Sequence, residues 1–415
     1  MEIKSVRGVR DLLPHQAEKL RYIEKVCREV VEKYGFVEII LPTIEEISLY
    51  QHSIGQTSDI VVKQMFEIVN RDEDSNKKLV LRPEGTAGVV RAFVEHNFKN
   101  NFPLKRFFYF GQMFRYERPQ KGRFREFYQF GIEIFNEPQI ASDLVLINII
   151  NKILTVLKVK YDLEINSIGC KKCREEFEKI LVKKLSSLKL CDVCKDRLNK
   201  NPLRIFDCKI DAEKLKEKFS DELNIQNYLC NTCRNSFERI LDAFNRQGIS
   251  YKINPMLVRG LDYYNGFVFE YKTELLDAAQ NTLCAGGRYD GLLYRFLKED
   301  VYACGAAFGV DRIVEVINID KKENLKVGVA VVDDKYLLDG FNIGEELVNC
   351  FKDIVIVGPF SGKSLKSQLR LFNNENCKYV LLIGDEIKEN KVVVKDFINK
   401  IQQTVEMKKL KEIIL

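Results

Sequence analysis

The sequence predicts an α+β protein: an antiparallel-sheet domain interrupted by a Cys-rich, mainly helical insertion and followed by a small α/β domain. Three observations carry that prediction. Leu104 to Asn136 is dense in Phe, Tyr and Ile and is broken once, at Arg118-Pro119-Gln120-Lys121-Gly122. That is the pattern of two long antiparallel strands joined by a charged hairpin loop. Three CxxC pairs lie between Cys170 and Cys233 among Lys/Glu-rich helical stretches, and strand-rich sequence resumes near Gln247-Gly248. From about Lys321 short strands and helices alternate, which implies a largely parallel sheet. The expected boundaries are 1–160 and 249–320 for the two parts of the first domain, 161–248 for the insertion and 321–415 for the last domain.

The elements follow in order. Gln16 to Tyr34 reads as an amphipathic helix closed by Gly35, and Val37 to Leu41 as a strand stopped by Pro42. Leu79 to Arg82 is a short strand, after which Pro83 suits the first turn of a helix running to about His96. Ile140 to Lys158 is a further helix. Beyond the insertion, Phe267 to Thr273, Thr282 to Gly287 and Ala303 to Phe308 read as strands, and Gly309 to Asn318 as a helix. The last segment gives strands at Lys326–Val332, Ile354–Val357, Tyr379–Ile383 and Lys391–Val394, and helices at Leu337–Phe351 and Ser364–Phe372.

Composition narrows the chemistry. With 46% hydrophobic and 30% charged residues over 415 positions, the chain can bury substantial cores and is not a disordered chain. No apolar run approaches the roughly 20 residues of a membrane helix, and the charged start, Met1 to Pro14, lacks a secretory h-region. A soluble cytoplasmic protein without a membrane partner is the expectation. Three histidines argue against a His-rich metal site or a histidine relay. The net charge of +6 permits nucleic-acid contact without requiring it. The 12 cysteines, grouped as CxxC pairs in a large chain, fit metal binding or free thiols better than disulfides.

Four clusters could carry chemistry. Arg115 to Arg125 holds five basic residues and one acidic, a net of +4, beside Phe114, Tyr116, Phe124 and Phe127. Forked guanidinium donors over an aromatic floor suit a polyphosphate and a base, although a solvated basic hairpin tip would read the same way. Leu257-Val258-Arg259-Gly260-Leu261-Asp262-Tyr263-Tyr264-Asn265-Gly266 reads as a Gly-bounded turn with core tyrosines, although Asp262 before two tyrosines and close to Arg259 is an unusual combination for one. Ala285-Gly286-Gly287-Arg288-Tyr289-Asp290-Gly291 permits close backbone approach to a ligand, as do many ordinary turns. At Leu81-Arg82-Pro83-Glu84-Gly85-Thr86, Glu84 reads as a dipole-stabilised helix-start carboxylate or as a ligand for an amine.

Two further patterns need separate treatment. Gly358-Pro359-Phe360-Ser361-Gly362-Lys363-Ser364 is one residue short of a phosphate loop and reads as a turn before a helix. Cys170-x2-Cys173 and Cys191-x2-Cys194, 17 residues apart, fit a four-cysteine zinc template, with Cys208 and Cys230/Cys233 outside it. Reduced thiols packed in a small helical domain remain the alternative.

In order and wording the four clusters resemble the histidyl-tRNA synthetase family of class II aminoacyl-tRNA synthetases, over nearly the whole chain. Gly35 to Pro42 resembles the class's first motif, Phe114 to Glu133 the second, and Gly305 to Ile313 the third. Arg259 to Asn265 and Gly286 to Asp290 resemble segments peculiar to the histidine enzymes. One departure is Asp311, where the family usually has Glu before the third-motif Arg312. The resemblance implies a class II antiparallel-sheet catalytic domain and a C-terminal domain of the anticodon-binding type. It also implies a homodimer that forms histidyl-adenylate from L-histidine and ATP with Mg²⁺ and charges tRNA(His). Carried over residue by residue, Arg115 and Arg259 are catalytic, and Arg115, Glu117, Arg123 and Arg312 hold ATP. Glu84, Thr86, Gln129, Glu133, Arg259, Tyr263, Tyr264 and Tyr289 hold histidine. A structural zinc is compatible with the cysteines. Rival readings are a regulatory paralogue that binds histidine without charging tRNA, and a zinc-dependent nucleic-acid-binding protein.

Overall fold

The computed structural model describes residues 3–55, 58–71, 77–120, 122–208, 210–219, 222–277, 280–319 and 324–414. Lys121 of the charged hairpin and Lys321 at the expected last boundary lie outside them. The chain divides into two units, 1–318 and 319–415.

In the first unit the strands are β1 (Val37–Glu38), β2 (Ile44–Glu46), β3 (Phe66–Ile68), β4 (Leu79–Leu81), β5 (Arg106–Phe114) and β6 (Glu126–Phe135). They continue with β7 (Asp162–Ser167), β8 (Lys252–Ile253), β9 (Asn265–Lys272), β10 (Thr282–Arg288) and β11 (Ala303–Gly309). Among the described residues, eight strands form one sheet in the order β1-β5-β6-β11-β10-β9-β7-β8, and β2-β4-β3 form a small second sheet. The middle of the large sheet, from β5 to β7, is antiparallel throughout.

Alternation divides the two faces of this sheet. Phe108, Phe130 and Phe308 share one face and pack ring to ring at 5.9 and 5.7 Å. Helix Pro14–Glu32 covers that face, with Arg28 over the Phe108 ring. The opposite face presents Tyr109, Gly131, Glu133, Gly305 and Ala307 in adjacent register. The Tyr109 ring and the Glu133 carboxylate fill the space beside its glycines, and the candidate site is built around them.

Most elements lie where the sequence places them, and the differences have physical reasons. The expected strand Val37–Leu41 shrinks to Val37–Glu38, an edge strand pairing only β5, and Ile40 stands 88% exposed. Pro83 does not begin the next helix, which runs Thr86–Glu95. The Glu84 carboxylate accepts the Thr86 and Ala87 N–H groups at 2.7 and 2.8 Å, so the cap falls after the proline. Asp162–Ser167 remains a strand of the large sheet, so the chain departs from it after Ser167 rather than at Tyr161.

The second unit adds β12 (Leu325–Val331), β13 (Ile354–Val357), β14 (Tyr379–Ile383), β15 (Lys391–Asp396) and β16 (Ile401–Glu406), in the order β13-β12-β14-β15-β16. The sheet is mixed rather than largely parallel: β13-β12-β14 is parallel and β14-β15-β16 antiparallel. The links into β15 and β16 are too short for a crossover helix, which leaves only hairpins. The loop resembling a phosphate loop is a turn, as expected. The Asp334 carboxylate takes the Gly362 N–H and the Ser361 hydroxyl, and Ser364 caps helix Leu365–Asn374.

Candidate active site

Strands β5, β6 and β11, the start of helix Thr86–Glu95 and the loop 257–264 bring the expected residues into one group. Glu133 is buried at the centre. One of its oxygens accepts the Thr86 hydroxyl at 2.7 Å and the other the Tyr289 hydroxyl. Burial pushes its carboxyl up to about 8, against the two hydroxyl donors, which act to lower it. A Cβ at Gly305 would overlap the Glu133 carboxylate, so the strand pairing beside it requires glycine.

Glu84, also buried and pushed up by burial, faces the helix start it caps and attracts Arg115. Gln129 accepts the Tyr109 hydroxyl at 3.0 Å and the Gly85 N–H at 3.3 Å. Tyr263, Tyr264 and Tyr289 stack in a T-shaped and tilted group, with centroids 4.7 to 6.3 Å apart. Burial raises the Tyr264 hydroxyl to about 12.

Four guanidinium groups border these acids and phenols. Arg115 donates to the Pro83 carbonyl at 2.8 Å and lies 5.2 Å from the Phe127 ring. Arg259 pairs with Glu270, and its Nε finds no partner. Arg312 donates to the Thr282 carbonyl at 2.7 Å. Arg123 pairs with Glu117. Burial lowers Arg115, Arg123 and Arg312, Arg312 to about 10, and mutual repulsion adds to it: Arg259 acts on Arg115, while Arg115 and Arg123 act on Arg312. For Arg259, burial pulls down, but Glu270 and the neighbouring phenols outweigh it. Cations crowded in this way await an anion.

Asp311, the departure from the family pattern, still ties helix Val310–Val316 to β6. Its carboxylate accepts the Tyr128 N–H at 2.6 Å and Arg10 at 3.0 Å.

The sequence reading missed three residues. Tyr109 lies between Gly85 and Gly131, where a Cβ on either glycine would overlap its ring. Glu270 holds Arg259, and Arg204 of the Cys-rich segment lines a cleft with Arg259, Asp262 and Tyr264. Glycines at 85 and 131 around an aromatic-rich strand were the available signal for Tyr109.

The cysteine spacing misled. Cys170 and Cys173 do not meet Cys191 and Cys194; they meet Cys230 and Cys233, while Cys191 and Cys194 meet Cys208 and Asp211. Helices Lys171–Leu185 and Asn231–Gln247 both begin near the sheet edge where the chain leaves and returns, so topology overrides sequence proximity.

An antiparallel sheet with arginines from a strand–hairpin–strand unit and from the helix after its last paired strand is the catalytic fold of a class II aminoacyl-tRNA synthetase. A family model described as histidyl-tRNA synthetase matches residues 8–313. The chain is 38% identical over 414 residues to the histidine–tRNA ligase of a Nitratiruptor species, spanning 99% of this chain and 100% of that one. It is also 38% identical over 421 residues to the histidine–tRNA ligase of Thermodesulfovibrio yellowstonii, spanning 100% and 98%. Among solved structures, apo histidyl-tRNA synthetase of S. aureus matches with a TM-score of 0.80 at 28% identity over the whole of both chains. The chain belongs to the histidyl-tRNA synthetase family. It is an aminoacyl-tRNA synthetase of that family, whose members charge tRNA(His) with histidine through ATP. No helix among the described residues is long and apolar enough to cross a membrane.

Proposed function

We propose that the site on the β5-β6-β11 face performs both half-reactions with the residues grouped there. The observation that carries this reading is the grouping of Arg115, Arg123, Arg259 and Arg312 beside the buried carboxyls of Glu84 and Glu133. Histidine enters with its ammonium toward Glu84, Thr86 and Gln129, and its imidazole between Glu133 and Tyr264, with Tyr263 and Tyr289 as walls. Burial of those polar groups penalises any apolar side chain that leaves them unpaired. Arg115, Arg123 and Arg312 take the phosphates of ATP, and Glu117 turns toward the adenine edge.

The histidine carboxylate attacks the α-phosphorus. The bond from that phosphorus to the bridging oxygen breaks, and pyrophosphate leaves. Arg259 and Arg115 stabilise the charge that crowds onto the α-phosphate oxygens. The 3′-terminal ribose hydroxyl of tRNA(His) then attacks the acyl carbon, the bond from that carbon to the phosphate oxygen breaks, AMP leaves, and the hydroxyl proton passes to a phosphate oxygen of the departing AMP. No histidine side chain of this enzyme is needed as a base for activation, because the attacking carboxylate is already ionised.

Glu117 and Glu270 are single carboxylates already paired with arginines. That donor set fits Mg²⁺ held mainly by phosphate oxygens and water, with one or two protein carboxylates, rather than in a protein cage. When bound it neutralises charge on the outer phosphates.

Residues 1–167 and 249–320 serve as the catalytic domain, 168–248 as an inserted domain over the acceptor stem, and 321–415 as the anticodon-binding domain of a cytoplasmic enzyme. The exposed Val37, Ile40 and Ile44 near the first motif support a homodimer at that edge. ATP–pyrophosphate exchange tested with all twenty amino acids should respond to histidine alone. No exchange, with histidine still bound, would favour the regulatory paralogue.

A further inference from the structure

We infer that the Cys-rich segment holds two structural zinc ions, one on Cys170, Cys173, Cys230 and Cys233 and one on Cys191, Cys194, Cys208 and Asp211. In each set the ligand atoms lie within 4.8 Å of one another. A tetrahedral zinc with thiolates at about 2.3 Å requires sulfurs about 3.8 Å apart along each edge. The sulfurs of Cys170 and Cys173 are 3.6 Å apart, and those of Cys191 and Cys208 3.7 Å. A disulfide needs about 2.05 Å, so these pairs are not bonded, and all of these cysteines are free.

The surroundings are arranged for thiolates. Cys170, Cys191 and Cys230 each sit at the N-cap of a helix, Lys171–Leu185, Asp192–Lys200 and Asn231–Gln247. The partial positive charge of those helix starts favours anionic sulfur. Backbone donors turn toward sulfur in both sets: the Cys230 N–H to Cys173 Sγ at 3.2 Å, and the Ile210 N–H to Cys208 Sγ at 3.4 Å. Asp211 accepts the Cys191 N–H at 2.9 Å, which orients its carboxylate within the second set. Four soft thiolates, or three with a carboxylate, at one tetrahedral centre select zinc over the hard cations.

The first site joins the two ends of the excursion. Cys170 lies just beyond β7, and Cys230 and Cys233 begin the helix that leads back to β8. Next to it, Ile168 donates its N–H to the Gly266 carbonyl at 2.8 Å, and Arg174 donates to the Tyr264 carbonyl at 3.0 Å. The metal therefore fixes the neck of the insertion where it supports the Tyr264 loop. The second site, on residues 191–211, closes the segment whose Asn201 donates to Asp262 at 2.8 Å and whose Arg204 lines the cleft with Arg259.

Metal analysis of the full-length protein purified without chelator tests this, and it reads the metal apart from the enzyme assignment. Two zinc ions per chain are expected. Cys173→Ser and Cys208→Ser should each lose one, while Cys350→Ser, at an exposed thiol, keeps both. Because those variants can fail to fold, wild-type protein grown with Co²⁺ gives a second readout. Strong tetrahedral d–d bands with sulfur-to-cobalt charge transfer are expected. A metal-free protein whose thiols all titrate freely, or weak octahedral bands, overturns the proposal. A single zinc indifferent to Cys208→Ser overturns the second site. Cys173→Ser, which removes the first zinc alone, should raise KM for histidine more than KM for ATP; equal rises would remove its link to the Tyr264 loop.

Discussion

The two units of the chain bury their polar groups on opposite principles. In the first, Arg82, Glu84, Glu133, Asp143, Arg288 and Asp311 all lie in the interior. Some of its buried atoms, including Arg259 Nε and Gln280 Oε1, have no hydrogen-bond partner. In the second, among the described residues, Gln368 is the only buried polar side chain, and it is fully engaged. Its carbonyl accepts the Val331 N–H, and its amide donates to the Val331 and Lys363 carbonyls. The charges of the second unit sit outside in pairs such as Lys326–Glu375 and Lys411–Glu346, which contribute little to stability. Partnerless buried atoms are thus found in the first unit, at the proposed site and beyond it, whereas the buried polar side chain described in the second unit is satisfied.

Arg259→Ala gives the largest expected effect and can break this contrast outright. If Arg259 serves chemistry, pyrophosphate exchange should fall by about 10²–10³-fold, with the affinity for histidine largely kept. Stability should change little, because Glu270 retains Lys272 at 3.3 Å. A variant that exchanges near the wild-type rate but melts early would show that the buried cation is structural.

Glu133→Gln sharpens the contrast by separating function from stability in one residue. An unfolded glutamate releases its proton near pH 4.5, whereas the folded Glu133 keeps it to about pH 8. Across that window the folded chain binds more protons than the unfolded one, so this group costs stability as pH rises from 4.5 to 8, and the cost is constant above. Glutamine removes it, and the Thr86 and Tyr289 hydroxyls can turn to meet the amide. The Tm of the ligand-free variant should exceed wild type by a margin that widens between pH 5 and pH 8. KM for histidine should rise by about ten-fold, through loss of the hydrogen bond between the Glu133 carboxyl and the imidazole. A Tm difference independent of pH would mean that Glu133 is ionised when folded.

Much of this was legible from the residues. The aromatic stretch Leu104–Asn136 became β5 and β6, whose inward positions carry Gln129 and Glu133. The four clusters, far apart in sequence, converge because strand neighbours in an antiparallel sheet place Glu133 beside Gly305 and Gly287 beside Gly305. Other features depend on contacts that no local pattern encodes. The Cys170 pair met Cys230 because two helix starts share the sheet edge, not because of spacing. Tyr109 is hidden in Phe107-Phe108-Tyr109-Phe110, where the glycines at 85 and 131 are a faint trace, and the register with Gly131 shows its place in the candidate site. Strand β16, Ile401-Gln402-Gln403-Thr404-Val405-Glu406, is mostly exposed and carries too little apolar alternation to announce itself.

The smallest effect on the enzyme, and the strictest test of the contrast, belongs to Gln368. Truncation by Gln368→Ala leaves the Val331 N–H and carbonyl without their side-chain partner inside the second unit. Each buried group left unsatisfied costs about 1–3 kcal/mol, and Val331 ends the strand β12 that the sheet is built around. Calorimetry should therefore show an early transition for this unit. Histidine-dependent pyrophosphate exchange, measured below that transition, should match wild type, because the residues proposed for activation all belong to the first unit. Charging of tRNA should decline only as the temperature approaches the new transition. Exchange that falls together with stability would show that the second unit's interior is coupled to the activating site, and burial alone would no longer separate folding from chemistry.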